Sequence, residues 1–200
     1  GKLDNSPKPV NWDAVVLTCS NKAWTQTLQH ELDIYYAKGY LGKDLIHLVV
    51  EDPKSNVGSG GATLNALLTV VEYMSARRGF TVINADVLQG ANILIMHTGR
   101  NYTYEACTRP FVTLPAVRDS PEYDGLVFNF DLIFSIITRK IGIYAQPGIW
   151  VCSTDIVVSV PDSLDLETAF EQCDVCVVSI PMSPKLLRDH GVYKLDSKGY

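Results

Sequence analysis

Short apolar runs alternate along this chain with stretches of helical period, a pattern that predicts a parallel sheet assembled from crossover units. The first run, Ala14-Val15-Val16-Leu17-Thr18, has no polar face, as a strand covered on both sides should. A helix follows from about Asn21 to Lys38, with Trp24, Leu28, Leu32 and Tyr35 on one face and Gly39 as its stop. The second strand is Leu45 to Val50. Beyond Glu51-Asp52-Pro53 and Val57-Gly58-Ser59-Gly60-Gly61, helical period returns at Ala62. Leu64, Leu67, Leu68, Val71 and Met74 then recur at steps of three and four, and Arg77-Arg78-Gly79 closes the helix. Further strands are expected at Ile93–His97, Leu126–Asn129, Ile149–Cys152 and Val175–Ile180, and further helices at Asp131–Lys140 and Ser163–Gln172. The fold class is α/β: a Rossmann-like, mostly parallel sheet flanked by helices. No internal repeat or linker divides residues 1–200.

Composition narrows the class. Of 200 residues, 46% are hydrophobic and 20% charged, which excludes intrinsic disorder, collagen and coiled coil. The net charge of −5 argues against a sequence-independent nucleic-acid binder. Asn129 and Asp131 interrupt the greasiest stretch, Gly125 to Ile137, so no run reaches the ~18 residues of a membrane span. Gly1 to Lys8 is polar and shows no signal-peptide core, and five cysteines cannot all pair. The expected compartment is therefore reducing and cytoplasmic. Cys173 and Cys176 form a C-x-x-C, yet no second pair completes a zinc set, and Val175 to Val178 reads as a strand. The opening Gly1 and the strand-and-turn pattern up to Tyr200 lead to the expectation of a front piece of a longer protein.

Three places could carry chemistry. Glycines at 58, 60 and 61 between a strand and a helix allow backbone N–H groups close to an anion, and the helix start favours negative charge. The occupant would be a nucleotide phosphate; the competing reading is a flexible turn. The stretch is not a Walker A loop, since no Gly-Lys-Ser/Thr follows. Asp155 closes an apolar run and so falls at the carboxyl end of a strand, where open α/β sheets bind ligands. A lone carboxylate there suits Mg2+, which takes one or two carboxylates plus substrate phosphates; a turn or cap aspartate is the alternative. His97 ends a strand at the same edge, followed by Arg100 and Arg109, whose planar forks suit phosphate. His30, His47 and His190 are scattered without metal spacing, and no G-x-S-x-G elbow is present.

Several segments resemble the amino-terminal region of L-fucokinases. They are Trp12 to Thr18, Val49 to Pro53, Val57 to Leu67, Trp150 to Asp155 and His190-Gly191-Val192-Tyr193. The likeness runs over essentially all 200 residues. In that family the front half is similar to GDP-fucose pyrophosphorylase, a nucleotide-diphospho-sugar transferase with a Rossmann-like sheet, and a GHMP-type kinase occupies the back half, which this chain lacks. The resemblance implies ATP-dependent phosphorylation of L-fucose to fucose 1-phosphate by the parent protein. It implies, alternatively, a guanylyltransferase joining fucose 1-phosphate to GTP, or a non-catalytic nucleotide-sugar-binding domain.

Carried over by position, the resemblance assigns Gly58, Ser59, Gly60, Gly61 and Thr63 to nucleotide, Asp155 to Mg2+ and Arg109 to catalysis. His97, Arg100 and His190 fall to substrate. The chain departs from transferase-active relatives at Thr103 and Tyr104, where Lys and Arg are expected, and Arg109 stands in place of Lys. The partners implied are L-fucose or fucose 1-phosphate, ATP or GTP, and the kinase part of the same protein, with no nucleic acid or membrane.

Overall fold

The computed structural model describes residues 8–53, 57–99, 109–115, 126–161, 166–170, 174–180, 183 and 185. Four strands, β1 (Ala14–Cys19), β2 (Ile46–Glu51), β3 (Ile93–His97) and β4 (Ile149–Ser153), form an all-parallel sheet in the order β2-β1-β3-β4. The α/β, Rossmann-like expectation holds. The chain leaves β1 for β2 on one side and returns across it to β3 on the other, so the topological switch point lies between β1 and β3. Thr18 and His97 face each other there in register.

Each face of the sheet has its own helices. On one, Val15, Leu17, Leu94 and Met96 pack on Leu28, Leu32 and Tyr35 of α1 (Lys22–Ala37) and on Phe130 and Ile133 of α3 (Asn129–Ile136). On the other, Ala14, Val16, Ile93 and Ile95 meet Ala66, Val70, Val71 and Met74 of α2 (Gly58–Arg77). That double cover is why β1 is buried at every position and apolar from Ala14 to Leu17. Asn21 caps α1 by accepting the Ala23 N–H at 3.0 Å. Trp12 closes the base of the sheet, donating its indole N–H to Thr138 at 2.9 Å.

The outer edge of β2 is partly covered by side chains. Gln29 accepts the Val49 N–H at 2.7 Å and donates to the His47 carbonyl at 3.3 Å, and Asn65 donates to the Glu51 carbonyl at 3.1 Å. A glutamine here imitates a neighbouring strand. At the opposite edge β4 pairs only with β3 among the described residues.

Four expectations change. The helix that was to begin at Ala62 begins at Gly58, so the glycines are its first turn and not a loop before it. Its buried stripe is Ala62, Ala66, Val70 and Met74; these mostly small residues let α2 lie close on the sheet, and Leu64 and Leu68 point outward. Leu126–Asn129 is not a strand. The Asp131 carboxylate accepts the Phe128 N–H at 2.8 Å and turns the chain into α3, leaving one antiparallel bridge between Thr113 and Phe128. Val175–Ile180 has no ladder partner among the described residues, and Val175 is 80% exposed. The Ser163–Gln172 helix is seen at Glu167–Phe170; residues 162–165 and 171–172 lie outside the described part. No described helix is long and apolar enough to cross a membrane.

Candidate functional site

Each strand of a parallel sheet ends at the same edge, and here those ends read Thr18-Cys19, Glu51-Asp52, His97-Thr98 and Ser153-Thr154-Asp155. They supply three carboxylates and no Lys or Arg. The first turn of α2 joins the same edge, because Thr63 reaches His97. The His97 ring is held from both sides: Nδ1 lies 2.7 Å from the Thr18 hydroxyl and Nε2 2.9 Å from the Thr63 hydroxyl. Burial holds this imidazole below its ordinary value of 6.5, against the pull of the Asp52 and Asp155 carboxylates.

Among the described residues no side chain caps the start of α2. Val57 makes no side-chain cap bond, so the N–H groups of the first turn have no intrahelical partner. Gly58 sits at φ +75°, a conformation that L side chains rarely adopt, and a Cβ at Gly61 would lie 2.5 Å from Val57 Cγ2. These two glycines are demanded by the fold. Gly60 is not, since a Cβ there would meet nothing within 4 Å. A glycine without a packing reason, in a turn where it costs ~1 kcal/mol relative to alanine, leaves space for a ligand against the backbone.

Asp155 is exposed, and three contacts set its orientation. Ser153 donates to its Oδ1 at 2.5 Å. Asn129 Nδ2 donates to the Thr154 carbonyl at 2.6 Å and the Ile156 carbonyl at 2.9 Å, gripping the chain on both sides of the aspartate. Gly99, at φ +80°, passes so close that a Cβ would stand 2.6 Å from Oδ2. Across the edge, Asp52 Oδ1 is buried without a hydrogen-bond partner among the described residues. Burial raises the Asp52 carboxyl above its ordinary 3.8, opposed by His97 and reinforced by Glu51.

Among the described residues no three His, Cys, Asp or Glu side chains converge on a metal cage. The donor set nevertheless fits Mg2+ at Asp155, a hard oxygen ligand fixed by its neighbours beside a turn suited to phosphate. Burial raises the Cys19 thiol and pushes Cys152 up to about 12, so neither of these two is a ready nucleophile.

The structure therefore brings Gly58, Ser59, Gly60, Gly61, Thr63, His97 and Asp155 to one edge. Arg109 opens the short turn Arg109–Phe111, with Phe111 packed on Tyr35, Phe128 and Phe130. Arg100, Thr103, Tyr104, Cys107, Cys173 and His190 lie outside the described residues. Sequence reasoning missed Thr18, Asp52 and Asn129 as parts of the site. Only Asn129 carried a signal, a polar residue in the greasiest run.

Residues 85–200, more than half of the chain, match the family described as the fucose pyrophosphorylase domain. The chain belongs to this family. A fucose pyrophosphorylase domain is of nucleotidyltransferase type, which places the chain among transferases of fucose and nucleotide-sugar metabolism. The matched part of the domain carries β3, α3 and β4, and with them His97, Asn129 and Asp155; the glycine turn of α2 precedes it. No curated protein and no solved structure matched the chain.

Two expected results follow for the domain. Because the folded pKa of His97 lies below its unfolded value, the unfolded chain binds more protons just below pH 6.5, and stability falls on acidification through that window. Urea unfolding between pH 7.5 and 5.5 should show that loss in the native protein and a smaller one in His97→Gln. Gly99→Ala forces a side chain into the left-handed region and against Asp155, at a cost of about 1–2 kcal/mol for the backbone alone. Denaturant titration should report that loss, and an unchanged midpoint would deny the close approach.

Proposed function

We propose that this domain binds a nucleoside triphosphate and fucose 1-phosphate at the switch point and joins them as a nucleotide sugar, within a protein of the L-fucokinase type. The observation that supports it is the uncapped glycine turn of α2, tied to the sheet by Thr63 and His97 and standing at the same edge as the oriented carboxylate of Asp155. In the reaction, a phosphate oxygen of fucose 1-phosphate attacks the α-phosphorus of the triphosphate. The bond between the α-phosphorus and its bridging oxygen breaks, and pyrophosphate leaves. The first-turn N–H groups hold phosphate oxygens, and Asp155 holds Mg2+, which supplies charge neutralisation of the departing pyrophosphate. Arg109 would add a cation to an edge whose strand ends have none. In the parent protein, a trailing kinase would make the fucose 1-phosphate from L-fucose and ATP.

A second reading has an observation of its own. Thr103 and Tyr104 stand where active relatives carry cations, and the strand ends bear three carboxylates, which favours a domain that binds nucleotide sugar without turnover. Thermal unfolding with Mg2+ and GTP, ATP or GDP-fucose tests the site. A ligand at 100 times its Kd adds ~2.7 kcal/mol, a shift of several degrees. Stabilisation by GTP and GDP-fucose with pyrophosphate release supports the transferase; stabilisation without release supports the binding domain. No shift with any ligand overturns both.

A further inference from the structure

The structure assigns His97 a positioning role: it pins the start of α2 to the sheet so that the first-turn N–H groups meet a phosphate-bearing ligand at a fixed height above the switch point. The inference rests on the nucleotide reading of that turn and adds to it the part that holds the turn in place. A first turn with glycine at three of four positions and no side-chain cap has little rigidity of its own. Rigidity has to come from outside it. Two side chains reach from this part of α2 to the strand ends: Asn65 donates to the Glu51 carbonyl at the outer strand, and the Thr63 hydroxyl meets His97 Nε2 at the switch point, where the ring is braced in turn by Thr18 on Nδ1. Thr18, His97 and Thr63 come from β1, β3 and α2, so one imidazole joins all three elements that meet at the switch point.

An imidazole suits this task because its two nitrogens point apart on a rigid ring and can bond two hydroxyls at once. Both nitrogens are thereby engaged, which makes His97 a support for ligand-binding groups and not a ligand-binding group itself. Thr18 is buried at 4% exposure, which keeps it from the ligand. Its hydroxyl acts on the site only through the ring, and that makes Thr18 the place to test the idea.

Thr18→Val keeps the shape and removes the hydroxyl; Thr18→Ser keeps the hydroxyl. GTP affinity with Mg2+ should fall roughly tenfold in Thr18→Val and return in Thr18→Ser, both measured well below the unfolding temperature. Amide hydrogen exchange at Ala62 to Ala66 should quicken in Thr18→Val alone. A valine variant that melts earlier but binds GTP as the native protein does would overturn the role and leave Thr18 merely structural. Absence of GTP binding by the native protein would instead overturn the nucleotide reading. The exchange rates then decide the positioning role on their own, unchanged rates in Thr18→Val overturning it.

Discussion

Asp155→Asn is expected to keep the fold and lose transferase turnover by on the order of a thousandfold, the loss typical when one preorganised charge is withdrawn from a developing anion. Asparagine has nearly the same volume and its carbonyl can still accept the Ser153 hydroxyl bond. The residue is exposed, so no buried charge is stranded and the melting temperature should move by no more than about two degrees. What disappears is the negative oxygen available to Mg2+. The measurement is pyrophosphate release from GTP and fucose 1-phosphate across a Mg2+ titration, with the variant requiring far more metal. Turnover equal to that of the native protein would remove the carboxylate from the chemistry. Asn129→Ala offers a comparison, since it frees the carbonyls of Thr154 and Ile156 while leaving the carboxylate in place.

The largest loss of stability is expected from Phe130→Ala. The ring is wholly buried and sits among three others: Tyr35 edge-on at 5.3 Å, Phe111 at 5.8 Å and Phe134 stacked at 5.7 Å. Truncating a buried phenylalanine costs about 3–5 kcal/mol, and aromatic contacts of this kind add about 0.5–1.5 kcal/mol beyond area. Against a total of roughly 5–15 kcal/mol, that is a large share. Denaturant unfolding checks it, with Phe130→Leu expected to lose distinctly less. A loss under about 1 kcal/mol in the alanine variant would mean that α3 is not packed on this face of the sheet. The effect should reach function as well, because Phe111 anchors the turn that begins with Arg109.

Much of the frame was legible in the chain. β1 to β4 were visible as apolar runs, each within one residue of its observed limits; for β1 and β3 the reason is burial on both faces, which leaves no alternation to misread. The start of α2 was not legible: three glycines read locally as a loop, whereas packing of Ala62, Ala66 and Val70 on the sheet carries the helix back through them. Val175–Ile180 has strand composition but pairs with no strand among the described residues, a matter of tertiary placement that no local pattern holds. In the site, Asp155 and His97 could be found because strand ends mark the edge. Asn129 left only the trace of a polar residue in an apolar run, and Thr18 none, since their roles arise from bonds across 25 and 79 residues. The resemblance named the chemistry, and the family match supports it at the level of the domain; neither supplied the imidazole between two threonines.

The side chains of Gln29 and Asn65 along β2 also bear on stoichiometry. The His47 and Glu51 carbonyls and the Val49 N–H on that border are already answered by these amides, so it offers fewer groups for another chain to hydrogen-bond than the border of β4, which has no second strand beside it among the described residues. Two copies meeting border to border through β4 would leave a joined sheet with partly occupied β2 borders at both ends, which disfavours the addition of further copies.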